Sequence, residues 1–227
     1  MDTTLIRPFV LDGFLTPYQE QGWKLSANEP GFMLWWACGS GKTLAALLWA
    51  ASGPPNQKVI IVTRAPTKRQ WQREAQNYTL YRPEVLTGKT PYEPTSDIVV
   101  LSWATLQGWG DYLLRWASGG PLAVIWDEIH KGKGWKRKER LVARDGSVYH
   151  SWLDNRAAAA AKLAHGATRR LGLTATPVRD RRSDLWAQLD LVLPKQFGTG
   201  TSSTSSVTPG QVSTEASTPR GQATVMN

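Results

Sequence analysis

Five short, largely apolar and β-branched runs punctuate this sequence: FMLWWA (32–37), KVIIVT (58–63), DIVVLS (97–102), LAVIWD (122–127) and RRLGLT (169–174). Each is the length of a strand, and four of the five hold four or more consecutive apolar residues instead of alternating ones. That is the signature of a strand buried on both faces. Between them lie stretches with helical character, at Thr43–Ala51, Thr67–Asn77, Asn155–Ala164 and Ser183–Leu191. Strands that return to one sheet in parallel need crossover connections of a dozen residues or more, usually a helix. The alternation therefore predicts an α/β domain whose mainly parallel central sheet is flanked by helices on both faces. No internal repeat is visible.

This domain is expected to occupy residues 1–197, one α/β unit with a full core. After Phe197 the composition changes abruptly. Residues 198–227 are rich in Ser, Thr, Gly and Pro and nearly free of large apolar side chains. Such a segment buries too little surface to offset chain entropy, so it is expected to be a disordered tail with no room for a second folded domain. The N-terminus carries an early acid and no long apolar stretch, unlike a secretory signal. Purely apolar runs such as Phe32 to Cys38 are far short of the roughly 20 residues of a membrane span. The single cysteine, Cys38, cannot form an intrachain disulfide, which suits a reducing compartment. A cytoplasmic location and no membrane partner are the expectations.

Three motifs close three of the predicted strands. The first is Cys38-Gly39-Ser40-Gly41-Lys42-Thr43, which also opens a helix. Glycines let backbone wrap around a phosphate, and the amides of Gly39, Ser40 and Gly41 at a helix N-terminus suit an anion. In a phosphate loop Lys42 reaches the β- and γ-phosphates of ATP and Thr43 ligates Mg²⁺. The second is Asp127-Glu128-Ile129-His130, at the end of the apolar strand 122–127. Nucleotide sites form at the carboxyl edges of open α/β sheets. There Asp127 would hold Mg²⁺ through its water shell, and Glu128 would orient and deprotonate the attacking water. The third is Leu173-Thr174-Ala175-Thr176-Pro177. Its two hydroxyls, Thr174 and Thr176, suit a relay of nucleotide state, and His130 is read as a coupling residue. No other His or Cys is spaced to make His130 a metal ligand. Taken singly, each motif has a bland alternative: a Gly-rich turn, an acidic strand cap, a strand end stopped by proline.

In this order the three resemble motifs I, II and III of superfamily 2 helicases. LTPYQEQGW (15–23) is similar to the Tyr-Gln segment ahead of the phosphate loop, whose glutamine reads the adenine edge and maps onto Gln19. VIIVTRAPTKRQWQREAQ (59–76) resembles motif Ia and its helix, with the Trp71 and Glu74 spacing of the SNF2 branch. IVVLSWATL (98–106) resembles that branch's Ser-aromatic segment, which contacts nucleic-acid backbone at Ser102 and Trp103. LTATPVRDRRSDLWAQLDLVLP (173–194) is similar to the SNF2 stretch from motif III to a Leu-Pro end. Trp36 stands where a strict phosphate loop has glycine, a departure that also suits SNF2 proteins. The resemblance spans about residues 9–197. It implies a RecA-like phosphate-loop domain, ATP and Mg²⁺ as cofactors, and hydrolysis coupled to movement on duplex DNA.

Three departures qualify it. Lys131-Gly132-Lys133-Gly134 is not the usual SNF2 continuation after motif II, and LTATP is also common in restriction-enzyme motor subunits. The branch therefore stays open. Family members also continue into a second RecA-like domain that supplies an arginine finger. The expectation is a truncated or frame-shifted reading of a longer gene, dependent on a second domain in cis or in trans. Two rivals remain: a phosphate-loop kinase or other small-molecule NTPase, which leaves DEIH, LTATP and Gln19 unexplained, and a catalytically inactive nucleic-acid-binding or regulatory fragment.

The charge has a telling distribution. Residues 1–130 hold 11 Lys/Arg and 11 Asp/Glu, whereas residues 131–182 hold 14 and 4, and the whole chain sums to +9. A block that begins after motif II and ends on motif III is either a solvated surface or a phosphate-facing one, with Lys136, Arg137 and Lys138 as its candidate contacts. If it is solvated, the nucleic-acid contacts fall to Arg64, Ser102 and Trp103. Among the twelve tryptophans, Trp35, Trp36, Trp49 and Trp126 read as core, while Trp103 and Trp135 flank contact segments where a base could stack.

Overall fold

A computed structural model describes residues 2–132, 138–142, 148–152, 155–177, 182–194, 196 and 225–226. The strands are β1 (Gly31–Trp35), β2 (Lys58–Thr63), β3 (Glu84–Val85), β4 (Ile98–Ser102), β5 (Leu122–Asp127), β6 (Lys138–Val142), β7 (Val148–Trp152), β8 (Arg169–Thr174) and β9 (Val225–Met226). The α-helices are α1 (Pro17–Ser26), α2 (Lys42–Ala51), α3 (Lys68–Tyr78), α4 (Leu106–Trp116), α5 (Asn155–Gly166) and α6 (Arg182–Val192).

All five apolar runs form strands of one parallel sheet, ordered β3-β4-β2-β5-β8-β1-β9. Successive residues of a strand point to opposite faces, and here each face has its own core. Phe32, Leu34, Val59, Ile61, Val100, Ile125 and Leu173 pack with the residues of α2, Trp23 of α1 and Trp71 of α3. Met33, Ile60, Val62, Leu101, Val124 and Trp126 pack with Trp109 of α4, Leu163 of α5 and Leu191 of α6. The result is the three-layer α/β architecture that continuous apolarity predicts. Close packing leaves no room for side chains at two glycines. A Cβ on Gly31 would lie 2.2 Å from the Val192 carbonyl oxygen, and one on Gly172 would lie 2.4 Å from Met33 Sδ.

Several features were not among the expected elements: α1, α4, the two-residue β3, the two-residue β9 and the antiparallel pair β6–β7. That pair is a separate two-stranded sheet inserted between β5 and α5 within the basic block. The first strand ends at Trp35, so Trp36 and Ala37 already belong to the phosphate loop. Of the Ser/Thr-rich tail, only Val225–Met226 lie within the described residues; they pair in parallel with Met33 and Leu34. Among the described residues no helix is long and apolar enough to cross a membrane.

Candidate nucleotide site

Because every strand of the sheet runs the same way, the segments leaving β1, β5, β8, β2 and β4 emerge along one carboxyl edge. The register aligns their last residues: Trp35 with Thr174, Asp127 with Leu173, Val62 with Trp126 and Thr63 with Ser102. GSGKT, LTATP, DEIH and the turn after β2 are therefore neighbours in space.

The loop from Trp36 to Gly41 turns through two left-handed glycines, Gly39 (φ 77°) and Gly41 (φ 80°). Gly41 caps α2 without any side-chain hydrogen bond, and the first turn of α2 has no acidic residue. Its free amides and dipole are thus open to an anion. Lys42 folds back over the loop, its Nζ donating to the carbonyls of Trp36 and Ala37, both at 2.8 Å. Ser40 Oγ is buried with no hydrogen-bond partner, a cost that a polar ligand in the loop would relieve.

Gln19 enters from α1. Thr16 and Gln19 form a capping box, with the Thr16 amide donating to Gln19 Oε1 at 3.0 Å. The other end of the amide donates to the Ser40 carbonyl at 3.0 Å, and the Tyr18 hydroxyl donates to the same oxygen. The left-handed φ at position 41 favours glycine, and a Cβ there would also push the Gln19 amide away from the loop. One side chain thus ties the helix start to the phosphate loop.

At the end of β5, the backbone of Glu128 is left-handed (φ 52°), a conformation uncommon outside glycine. Its carboxylate lies 3.4 Å from His130 Nδ1, which in turn lies 3.4 Å from Thr174 Oγ1. Thr174 is fully buried and accepts a hydrogen bond from the Thr176 amide at 3.0 Å. A continuous polar path therefore runs from the DEIH turn into LTATP. Asp127 accepts from Thr63 Oγ1 at 2.5 Å and from Trp71 Nε1 at 3.1 Å, while its backbone carbonyl accepts from Trp103 Nε1 at 2.8 Å. The donor set is hard: the Thr43 hydroxyl and the Asp127 carboxylate suit Mg²⁺. Among the described residues there is no cluster of three or more His, Cys, Asp or Glu that would suit a softer or fully protein-held ion.

The sequence profile of the family described as type III restriction enzyme, res subunit, matches residues 14–179, most of the chain and all three motifs. The chain belongs to this family. The chain resembles three solved structures in fold. The SWI2/SNF2 ATPase core of Sulfolobus solfataricus, solved in complex with dsDNA, has a TM-score of 0.58 and 21% identity, covering 79% of this chain and 36% of that one. The helicase domain of Hef from Pyrococcus furiosus gives 0.57 and 18%, covering 83% and 38%. The UvsW helicase of bacteriophage T4 gives 0.52 and 14%, covering 76% and 57%. The chain thus shares the RecA-like α/β fold of these domains, and it spans less than two thirds of the length of each of these structures. No curated protein matches it.

The expected nucleic-acid contacts of the res-subunit domain fare unequally. Arg64 is exposed at the carboxyl edge. Ser102 is only 2% exposed, and its Oγ lies 3.1 Å from Thr105 Oγ1. Trp103 is 3% exposed, stacked on Trp126 at 5.5 Å between centroids. Base stacking on Trp103 is therefore corrected: its faces are occupied by core, and its N–H holds the DEIH turn. Trp135, Lys136 and Arg137 lie outside the described residues; Lys138 begins β6, where only backbone is described. The sequence reading missed Thr63 and the hydrogen-bonding role of Trp71. The Trp71 spacing was visible, but nothing local to it signals a partner 56 residues away.

Proposed function

We propose that this chain is the ATP-binding half of an SNF2-like DNA-dependent ATPase motor. In this reading Mg-ATP hydrolysis drives movement on duplex DNA once a second RecA-like domain is present. The observation that carries the reading is the order β5-β8-β1, which brings DEIH, LTATP and GSGKT side by side at one edge. Lys42, now held by two loop carbonyls, would transfer its donors to phosphate oxygens, and the amides at the start of α2 would bind the same oxygens. Gln19, already fixed against Ser40, would read the base. Mg²⁺, when bound, would neutralise charge developing on the phosphates. Glu128 would accept the proton of the attacking water, and the path through His130 to Thr174 would report its state. An arginine from the second domain is worth about 10³ to 10⁵ in rate, so this domain alone should bind ATP and turn it over slowly. Exposed Arg64 and the basic block would meet DNA, as the dsDNA complex of the Sulfolobus protein suggests for a relative in fold.

Calorimetry on the wild type and on Lys42→Ala tests the site. The variant loses charge-assisted contacts worth about 1.5–3 kcal/mol each and should bind ATP at least tenfold more weakly. Normal ATP binding by a folded Lys42→Ala protein overturns the assignment. Turnover with and without duplex DNA, after a second RecA-like domain is supplied, tests the motor.

A further inference from the structure

The acid of the DEIH turn is not left to find its own orientation. Both protein donors to the Asp127 side chain, Thr63 Oγ1 at 2.5 Å and Trp71 Nε1 at 3.1 Å, converge on Oδ2, and no described side chain hydrogen-bonds to Oδ1. Two donors from different directions on one oxygen fix the plane of a carboxylate and leave the other oxygen to face a hydrated cation. Thr63 and Trp71 are themselves immobilised. Thr63 is fully buried at the end of β2, and Trp71 is 2% exposed in the core beneath α3. Proton counting sets the direction of the network. Thr63 has one hydroxyl proton, committed to Asp127, so at 2.7 Å it must accept from Thr67 Oγ1. That spends the one hydroxyl proton of Thr67, which meets the turn through its backbone amide instead, donating to the Arg64 carbonyl at 3.1 Å. The turn that exposes Arg64 and the helix that carries Trp71 therefore share one polar network with the Asp127 carboxylate.

We infer that Thr63 and Trp71 are positioning residues that hold Asp127 for the Mg²⁺ of a bound nucleotide, and that they link this oxygen to the turn at Arg64. The inference rests on the nucleotide-site reading above. Groups that orient a metal-binding side chain typically change metal affinity by roughly 10- to 100-fold when removed. Because Asp127 acts through water, the lower end is expected.

The test uses the full chain and measures ATP binding by calorimetry, once in excess EDTA and once across a Mg²⁺ titration. Thr63→Val removes the hydroxyl at constant shape, Trp71→Phe removes the indole N–H, and Thr63→Ser restores the hydroxyl. Thermal melts establish that each variant is folded. The expected result is that Val and Phe raise the Mg²⁺ concentration needed for half-maximal tightening about tenfold. Binding in EDTA should stay unchanged, and Ser should behave as wild type. If Trp71→Phe fails to fold, Thr63→Val alone decides. An unchanged Mg²⁺ requirement in folded Thr63→Val overturns the inference, as does equal weakening with and without Mg²⁺, which marks a purely structural role. Lys42→Ala separates the two levels. Loss of binding there with no Mg²⁺ effect at Thr63 leaves the nucleotide site standing and removes only the positioning role. A wild type that binds no ATP removes both.

Discussion

At the scale of single residues, the site mixes side chains held ready with one held under strain. Glu128 adopts a left-handed backbone, and its carboxylate sits beside His130. Glu128→Gln should leave ATP affinity within about twofold, since the shape and the turn are kept. It should abolish turnover in protein supplied with a second RecA-like domain, because an amide cannot take a proton from water. Unchanged steady-state hydrolysis in that variant would place the base elsewhere. Most of these residues were legible beforehand. GSGKT and DEIH declare themselves because their chemistry demands particular residue types at fixed local spacings. Thr63 did not, because its role depends on β2 and β5 being neighbours in the sheet, and Thr63 has no local mark that sets it apart from any other strand-end threonine.

At the scale of elements, legibility followed continuity of the apolar pattern. Four of the five strands carry unbroken apolar runs, and all five form. Helix α4 was hidden by Gly108 and Gly110 within its eleven residues; Gly110 is kept small by Ala159 of α5, whose Cβ would lie 3.2 Å from a side chain there. The pair β6–β7 was hidden because β6 opens with three consecutive charged residues, Lys138, Glu139 and Arg140, in a block that reads as merely basic. Trp103 shows the converse error, an aromatic next to a contact motif that belongs to the core. Trp103→Ala should therefore cost about 3–5 kcal/mol of stability through cavity formation, seen as a lower denaturant midpoint. A variant that kept wild-type stability but lost nucleic-acid affinity would return Trp103 to the interface.

At the scale of the whole molecule, two properties follow from where charge is placed and buried. All of the net positive charge lies in residues 131–182. Binding to duplex DNA should weaken with salt by a log–log slope of about −0.9 per phosphate neutralised. Reversing Lys136, Arg137 and Lys138 to Glu should flatten that slope for all sequences alike, and an unaltered slope would leave the block as surface charge. At the opposite edge of the sheet, burial pushes the Tyr81 phenol up to about 12 and brings the Arg169 guanidinium down to about 10. Tyr81 contributes stability that is complete below its ordinary value of 10.0 and is lost as pH rises toward 12. Tyr81→Phe loses the 3.2 Å hydrogen bond to Ala50, so it should melt below wild type at neutral pH. Its deficit should shrink or reverse between pH 10 and 12, and a constant deficit would refute the assignment. The strand order has one more consequence, in the time domain of synthesis. β1 is the first strand made, yet its long partner, β8, lies about 140 residues downstream, with Gly31 opposite Arg170. At roughly 5–20 residues per second on the ribosome, β1 emerges about ten seconds or more before the strand that covers its edge. Until then it is an apolar template open to wrong partners, and the phosphate loop that follows it has no LTATP beside it. Nucleotide, whose site needs both, arrives too late to guide the fold and can only reward it once made.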